Sequence, residues 1–224
     1  MENIQIHDTI RDIKSQFRLF MNGVISQSMR EKGMGYKLNF GIEYPRIKEI
    51  AQRYPKDHQL AQALWKENIR ECKIMATVLQ PVDTVSPEIA EIWVEDMQYP
   101  ELAEYAVMNL FQYLPYASES AFCWMADGRE YFQLCGFLLM ARLLMKKMKL
   151  GERAEAEFLD QAFTALEDES FRVRKSAVLA LCKFGLQSRD NRKTLGKMLG
   201  AAAKNAGPEL AGCLDEIKAE IEMA

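Results

Sequence analysis

The stretch EDESFRVRKSAVLALCKFG, residues 167–185, carries the clearest structural signal in the chain. Its apolar residues Val173, Ala177 and Leu181 recur at a spacing of four, which predicts the buried stripe of an amphipathic helix. Asp168 stands five residues before Val173, and Arg174 directly follows that valine. We therefore expect a turn at Asp168 that leads into a helix opening with Val-Arg.

The same frame fits three earlier stretches. The anchor residues Ile69, Leu102, Phe132 and Val173 lie 33, 30 and 41 residues apart, near the period of stacked helix pairs. The unit resembles a HEAT repeat, whose inter-helix turn carries Asp and whose second helix opens with Val-Arg. This resemblance implies an all-α fold, a right-handed HEAT-like α-α superhelix of about six helix pairs.

We expect residues 1–224 to form a single HEAT-like repeat domain. Its parts are an N-terminal helix and loop at 1–35, stacked repeats at 36–204 and a C-terminal capping helix at 205–224. Apolar residues at helical spacing predict one N-terminal helix from about Ile4 to Arg30. Pro45 and Pro87 are placed to begin later helices.

The composition is that of a globular protein with a sizeable core. Of 224 residues, 49% are apolar and 27% are charged, which excludes intrinsic disorder, a collagen and a membrane-embedded chain. No uncharged run approaches the roughly 20 residues of a membrane span, and the charged N-terminus contains no apolar signal region. We therefore expect a cytoplasmic protein that does not bind a membrane.

The cysteines and histidines argue against a metal centre. The five cysteines include no Cys-x-x-Cys pair, and His7 and His58 are far apart, so the sequence predicts neither a zinc site nor a disulfide framework. Each cysteine stands in an apolar stretch and is expected to be a reduced, buried thiol. We predict no metal and no cofactor.

The formal net charge of −3 hides an uneven distribution. Residues 83–128 contain nine acids and no Lys or Arg, whereas residues 129–204 contain 15 basic and nine acidic residues. Such a protein can bind an anionic partner through one face only. The 55 positions from Ile74 to Gly128 hold no basic residue, which limits any DNA footprint to the N-terminal and C-terminal repeats or favours a partner other than DNA.

Two further stretches carry a resemblance to a known family. They are YKLNFGIEYPRIKEIA, residues 36–51, and LWKENIRECKIMA, residues 64–76. The first is similar to the entry into the first repeat of the AlkD-like DNA alkylation repair family, which are HEAT-like DNA glycosylases. The second resembles that family's LW…E-x-R/K-x-x-A helix. With the repeats downstream, the resemblance covers most of residues 30–200.

The resemblance implies hydrolysis of the N-glycosidic bond of a cationic alkylated purine in duplex DNA. That reaction needs a carboxylate where positive charge develops, aromatic rings that attract a cationic base and a basic wall for the phosphates. The family's W-D-x-V-D motif matches PELAE, residues 100–104, with Glu104 at the carboxylate position and Pro100 where Trp belongs. The family's aromatic-x-R-R segment matches YFQLCG, residues 131–136, which contains no Arg. The usual catalytic set is not kept, which puts glycosylase activity in doubt.

These matches define the candidate site. Glu104 is the candidate catalytic carboxylate, and the candidates for substrate binding are Tyr99, Tyr105 and Trp124. The candidates for DNA-backbone contacts are Lys146, Lys147, Lys149, Arg172, Arg174, Lys175, Arg192 and Lys193. If these helix ends stack along one edge, they form a stripe that follows the phosphates. Each group also has a structural alternative: a helix-dipole contact for Glu104, core packing for the aromatic rings, and an ion pair with Asp168 or a neighbouring repeat for Arg174.

The sequence therefore predicts a divergent AlkD-like protein that binds damaged or distorted duplex DNA. The alternative is a non-catalytic HEAT-repeat scaffold that binds a protein partner, which the acidic middle segment and the altered catalytic set favour. A continuous positive groove would support DNA, whereas a negative groove with exposed tyrosines would support a basic protein.

Overall fold

Helices are the regular structure of the described chain, apart from one isolated β-bridge between Leu38 and Ile69. The computed structural model describes residues 2–223. The helices are α1 (Glu2–Leu19), α2 (Gly23–Glu31), α3 (Tyr44–Ala51), α4 (His58–Lys66), α5 (Arg70–Leu79), α6 (Pro87–Glu95), α7 (Pro100–Asn109), α8 (Ala117–Met125), α9 (Glu130–Met145), α10 (Glu152–Ala165), α11 (Phe171–Gly185), α12 (Arg189–Ala202) and α13 (Pro208–Glu222). The prediction of an all-α fold is confirmed.

The chain divides into two compact units, Met1–Ile89 and Ala90–Ala224. In the first unit, α4 packs against α5, α3 packs against α5, and α1 contacts both α3 and α4. Its core consists of large apolar side chains that are fully buried: Ile13, Phe17, Ile47, Ile50, Leu64, Ile74 and Met75. Burial of these apolar faces is the main source of stability for such short helices.

The N-terminal apolar pattern forms two helices, so the prediction of a single helix was wrong. α1 and α2 are separated by residues 20–22. Asn22 separates them because its side chain accepts hydrogen bonds of 3.2 Å from the N–H groups of Val24 and Ile25 and so caps α2. Its own N–H donates to the carbonyl of Phe40 at 2.8 Å. This tertiary contact is invisible in the local sequence.

A buried carboxylate fixes the loop between α2 and α3. Glu71, in the first turn of α5, is fully buried and accepts hydrogen bonds from the N–H groups of Phe40 at 3.1 Å and Ile42 at 3.3 Å. Arg70 donates to the carbonyl of Ile42 at 2.9 Å and lies 3.3 Å from the Glu71 carboxylate. Gly41 has a φ of 69°, and a Cβ there would lie 2.2 Å from a backbone oxygen of the α2 cap, so glycine is required. The segments 36–51 and 64–76 therefore contact each other directly.

In the second unit, one layer consists of α7, α9, α11 and α13, each packed against the next. α8 packs against α9, α10 against α11, and α12 against both α11 and α13. Gly136 lets α8 approach α9, since a Cβ at this position would lie 2.5 Å from the backbone nitrogen of Met125. The second helices of successive pairs thus stack on one another, as in HEAT repeats.

The turns that lead into α9 and α11 are built alike. Asp168 Oδ1 accepts a hydrogen bond of 2.7 Å from the N–H of Ser170, and Asp127 Oδ1 accepts one of 2.8 Å from the N–H of Arg129. In both cases the helix begins on the next residue. The Asp of the repeat frame therefore stabilises the turn before the second helix, and it does so through the backbone.

Most residues predicted to be core are buried. Trp65 and Trp93 are 4% and 1% exposed. Four cysteines are buried, but Cys123 lies on the exposed side of α8, so the prediction of burial was wrong for this residue. No helix within residues 2–223 combines the length and apolar character that crossing a membrane requires.

Candidate functional site

A pocket of 380 Å³ lies on α7, α9 and α11 in the second unit. We call it the groove pocket. Its lining is Glu104, Tyr105, Val107, Met108, Leu138, Ala141, Arg142, Met145, Leu179 and Lys183. The volume falls within the range of small-ligand sites, and a mostly apolar lining with a few polar groups is typical of them.

Glu104 supplies the carboxylate of the groove pocket. It stands one turn into α7, which begins at Pro100, where the fixed φ of proline suits a first turn. The walls of the pocket remove part of the hydration of the carboxyl group, and this burial raises the pKa of Glu104 above its usual range. The nearby Glu101 carboxylate raises this pKa further, whereas Arg142 on α9 lowers it. Glu104 therefore holds its proton more tightly in the folded protein than in the unfolded chain.

A second pocket, of 650 Å³, lies where α9 and α11 end and where α10 and α12 begin. We call it the lysine pocket because Lys147, Lys149 and Lys183 line it, together with one carboxylate, Glu155. Within residues 2–223, Lys147 and Lys149 have no ion-pair or hydrogen-bond partner for their side chains. Lys183 lies 3.9 Å from Glu220. Of the three lysines, Lys147 and Lys149 are therefore the two that lack an ion-pair partner within residues 2–223.

One amide holds the turn that carries these lysines. Lys147 has a φ of 65°, in the left-handed region that glycine usually occupies after a helix. Gln187 Nε2 donates hydrogen bonds to the carbonyl oxygens of Leu144 at 2.8 Å and Met148 at 2.9 Å. Because Gln187 stands two residues after the end of α11 at Gly185, these bonds join the C-terminal ends of α9 and α11.

The two pockets adjoin. Met145 and Lys183 line both of them. From the groove pocket to the lysine pocket, the surface therefore presents first a carboxylate with Arg142 and then three lysines. A ligand with one neutral or cationic part and one anionic part can contact both.

The predicted basic stripe is divided between the two ends of this helix layer. The first turns of α9 and α11 lie together, because Ser170 Oγ donates a hydrogen bond of 2.6 Å to Glu130 Oε1. The last turns also lie together, through Gln187. The two helices are thus parallel, and their ends are about 20 Å apart at a rise of about 1.5 Å per residue. Lys146, Lys147 and Lys149 are at one end and residues 172–175 at the other, so the condition for a stripe along a single edge is not met by these two groups.

The two exposed cations at the start of α11 are paired with carboxylates on neighbouring helices. Arg172 lies 3.4 Å from Glu130 of α9. Lys175 pairs with Glu216 of α13. A phosphate at this end would have to replace existing ion pairs, which reduces the gain from binding.

Arg174 has a structural role. Its guanidinium donates to the carbonyl oxygens of Asp168 at 2.7 Å and Glu169 at 3.0 Å, and it lies 3.1 Å from the Glu209 carboxylate of α13. Its side chain is only 13% exposed. The ion pair with Glu209 is the contact with a neighbouring repeat that the sequence analysis gave as the structural alternative. In the turn, Arg174 contacts the backbone carbonyl of Asp168 and not its carboxylate.

The remaining cations of the predicted set differ in their surroundings. Lys146 Nζ donates to the carbonyl of Gln112 at 3.2 Å and lies 4.0 Å from the ring centre of Tyr113. Arg192 on α12 is half-buried, and its buried Nε has no hydrogen-bond partner in the described chain. Lys193 is exposed. DNA-backbone contact by these residues stays a prediction.

The three aromatic candidates do not form one surface. Tyr105 lines the groove pocket. Tyr99 is half-buried and directly precedes α7, outside the lining of that pocket. Trp124 is 2% exposed and packs edge-on against Phe111 and Phe132, with ring centres 5.3 and 6.2 Å away. The substrate-binding role predicted for Trp124 is therefore corrected, because a core ring offers no face to a base.

Sequence reasoning missed Arg142 and Lys183. Both stand in apolar runs, LLMARLLM and LALCKFG, that form helices with many buried residues. A single cation in such a run was the available signal, since a charged residue seldom lies beside a core without contacting a partner or a cleft.

The sequence model of the family described as DNA alkylation repair enzyme matches residues 13–203. The chain belongs to the DNA alkylation repair enzyme family. No match was found among curated proteins.

Two solved structures are similar to this DNA alkylation repair family protein. One is described as a new family of proteins related to the HEAT-like repeat DNA glycosylases with affinity for branched DNA structures. The two sequences are 14% identical, and the match covers 85% of this chain and 81% of the other chain. The TM-score of 0.76 shows a common fold. The other is a designed armadillo repeat protein in complex with the peptide (KR)4, 12% identical, covering 96% of this chain and 92% of its own with a TM-score of 0.43.

The positions that depart from the glycosylase motifs can be located in the structure of this DNA alkylation repair family protein. Pro100 begins α7 and presents no ring for stacking, while Glu104 reaches the groove pocket one turn later. Residues 131–136 form the first turns of α9 and bring no Arg. Arg142, further along the same helix, supplies the cation beside Glu104 instead.

Proposed function

We propose that this protein binds DNA through the lysine pocket and the adjoining groove pocket. The observation that carries this proposal is the contrast between the two ends of α9 and α11. Lys147 and Lys149 are unpaired within residues 2–223, whereas Arg172 and Lys175 at the opposite end have carboxylate partners. Unpaired lysines can neutralise phosphates and release counterions without first losing an ion pair.

Damaged or distorted DNA is the proposed preference. The groove pocket has room for a group the size of a base, and a base leaves the stack most readily where pairing is already disturbed. Tyr105 and Arg142 offer a ring and a guanidinium to such a base. The branched-DNA affinity ascribed to the relative with the same fold supports this choice.

If the protein has glycosylase activity, Glu104 is the residue proposed to carry it. Glu104 is the carboxylate that the groove pocket presents, and a carboxylate there would stabilise positive charge on the sugar. Without a Trp at position 100 and an Arg within residues 131–136, binding is the main function proposed. Any release of a methylated purine is expected to stop in Glu104→Gln, and unchanged release would remove Glu104 from the mechanism.

The test is a comparison of three labelled DNAs: a plain duplex, the same duplex with an abasic analogue, and a four-way junction. Wild type is expected to bind the two distorted DNAs more tightly. The double variant Lys147→Gln/Lys149→Gln should lose about tenfold in affinity for all three, at roughly 1 kcal/mol or less per lost phosphate contact. Arg172→Gln/Lys175→Gln is the matched control, because it also removes two positive charges but from paired positions, and Lys175→Gln alone should change affinity by less than about twofold.

Two results would overturn the proposal. Wild-type protein that binds none of the DNAs at low salt would exclude DNA and favour a protein partner. Equal losses for Lys147→Gln/Lys149→Gln and for Arg172→Gln/Lys175→Gln would show that the lysine pocket is not the contact surface.

A further inference from the structure

We propose that Tyr113 is a stacking site for an unpaired nucleobase, next to the lysine pocket. Tyr113 ends the short 3-10 turn Phe111–Tyr113 between α7 and α8, and 54% of its surface is exposed. An aromatic ring in solvent forgoes the gain from burial, whereas every nucleobase has a flat π-face that can stack on such a ring. Tyr113 therefore adds a contact with bases to the contacts with phosphates that the lysines provide.

The backbone that carries Tyr113 is anchored in the core. Phe111 and Leu114 on either side of it are buried. The N–H of Tyr113 donates a hydrogen bond of 3.0 Å to the carbonyl of Leu110, and the N–H of Leu114 donates one of 3.2 Å to the carbonyl of Phe111. The position of the ring is therefore largely set before a ligand arrives, which reduces the ordering cost of stacking.

One cation links Tyr113 to the lysine pocket. Lys146 Nζ donates a hydrogen bond of 3.2 Å to the carbonyl of Gln112 and lies 4.0 Å from the ring centre of Tyr113. Lys147, the next residue, lines the lysine pocket, and the Cα atoms of adjacent residues are about 3.8 Å apart. A base at Tyr113 and a phosphate at Lys147 would thus occupy neighbouring positions, as the parts of one DNA strand do.

Two further apolar side chains are exposed beside these cations. Met145 directly precedes Lys146 and lines both pockets, and Leu179 lines the groove pocket. Apolar surface contributes nothing to phosphate binding, but it can pack against the face of a base that has left the stack. These side chains therefore favour DNA that presents unpaired bases over an intact duplex, whose bases stack on one another.

The opposite end of the helix layer offers a matched control for this ring. Phe171, the first residue of α11, is also exposed and also lies beside a cation, with Lys175 Nζ 5.6 Å from the ring centre. That lysine is paired with Glu216. The inference assigns base stacking to Tyr113 and not to Phe171, because Tyr113 is the ring that adjoins the unpaired lysines.

The choice of a nucleobase as the ligand rests on the proposed DNA-binding function, and it narrows that function to DNA with single-stranded nucleotides beside a duplex. A single-stranded tail brings phosphates as well as bases, so a test must hold the number of phosphates constant. A tail of abasic-analogue nucleotides does so, because it keeps the phosphates and removes the bases.

The experiment uses one DNA hairpin with either a short thymidine tail or a tail of the same number of abasic-analogue nucleotides. Fluorescence anisotropy gives the affinities of wild type, Tyr113→Phe, Tyr113→Leu and Phe171→Leu, and thermal melting shows that each variant is folded. Wild type should bind the thymidine tail about tenfold more tightly than the abasic tail. Tyr113→Phe and Phe171→Leu should keep this preference. Tyr113→Leu should lose it and bind the abasic tail as tightly as wild type, which a general loss of structure would not allow.

The opposite results would overturn the inference at separate points. Equal affinity of wild type for the two tails would overturn base stacking and leave the DNA-binding proposal in place. Equal preferences in Tyr113→Leu and Phe171→Leu would overturn the assignment to Tyr113, and loss of the preference in Tyr113→Phe would overturn a contact through the ring. Wild type that binds neither probe at low salt would overturn the DNA-binding proposal and the stacking site with it.

Discussion

The hydroxyl of Ser170 donates a hydrogen bond of 2.6 Å to the carboxylate of Glu130. This contact aligns the first turn of α11 with the first turn of α9, so the C-terminal ends of the two helices also meet. The cations at the two ends differ: Arg172 and Lys175 form a paired group, whereas Lys147 and Lys149 form an unpaired group within residues 2–223. The unpaired group borders a pocket, and the proposed function follows from this separation.

Replacement of Lys147 by glycine is expected to stabilise the protein and weaken DNA binding. Glycine adopts a φ of 65° without the steric penalty of a side chain, so Lys147→Gly should raise the free energy of unfolding by about 1 kcal/mol. The loss of one phosphate contact should lower DNA affinity. Urea denaturation and anisotropy measure the two effects, and a variant that is less stable or binds as tightly as wild type would contradict the account.

Arg174 is expected to matter for stability and not for DNA. Arg174→Ala leaves two carbonyls of the turn before α11 without their donor and should lower the free energy of unfolding by about 2 kcal/mol. Arg172→Ala removes an exposed ion pair with Glu130 and should change the free energy of unfolding by less than about 0.5 kcal/mol. Urea denaturation of both variants is the measurement, and equal effects would refute the assigned difference.

The buried Glu71 is expected to be the most sensitive position of the first unit. Glu71→Gln replaces one acceptor oxygen by an NH₂ group facing the N–H groups of Phe40 and Ile42. With Arg70 left without its charge partner, the free energy of unfolding should fall by about 3 kcal/mol. Glu67→Gln, which breaks a partly exposed pair with Lys14, is the control and should cost less than about 1 kcal/mol. A small effect at position 71 would contradict the loop anchoring.

Much of the fold follows from local chemistry, and this explains what the sequence could predict. The Asp turn before α11 and the apolar spacing of residues 173–181 depend on neighbours in the chain, so both were readable. The break before α2 was not, because Asn22 is fixed by a carbonyl at Phe40. The pairing of Lys175 with Glu216 joins residues 41 apart, so the sequence could not separate paired cations from unpaired ones.

In the candidate site too, some residues could be predicted from the local sequence and others could not. Glu104 and Tyr105 follow a recognisable motif and do line one pocket. Trp124 was chosen for its ring, but α8 is apolar on several faces and the spacing did not reveal which face is buried. Arg142 belongs to the groove through the packing of α9 beside α7, which no local pattern encodes.

The ionisation of Glu104 gives a pH-dependent prediction. The pKa of this carboxyl is raised in the folded protein by burial and by Glu101, so the folded state binds the proton more tightly than the unfolded state. Stability is therefore lost as the pH rises from the usual Glu value of 4.5 through the folded pKa. Relative to wild type, Glu104→Gln should be more stable at pH 7 than at pH 4. Melting temperatures at the two pH values test this, and a relative stability that falls between pH 4 and pH 7 would contradict it.

The salt dependence of DNA binding tests the central claim most directly. The slope of log K against log salt concentration counts the phosphates that the protein neutralises, at about 0.9 per contact on duplex DNA. The account predicts that Lys147→Gln/Lys149→Gln lowers the magnitude of this slope by about 2 relative to wild type, while Lys175→Gln leaves it unchanged. A slope that is the same in wild type and in the double variant would contradict the claim that the lysine pocket contacts the DNA backbone.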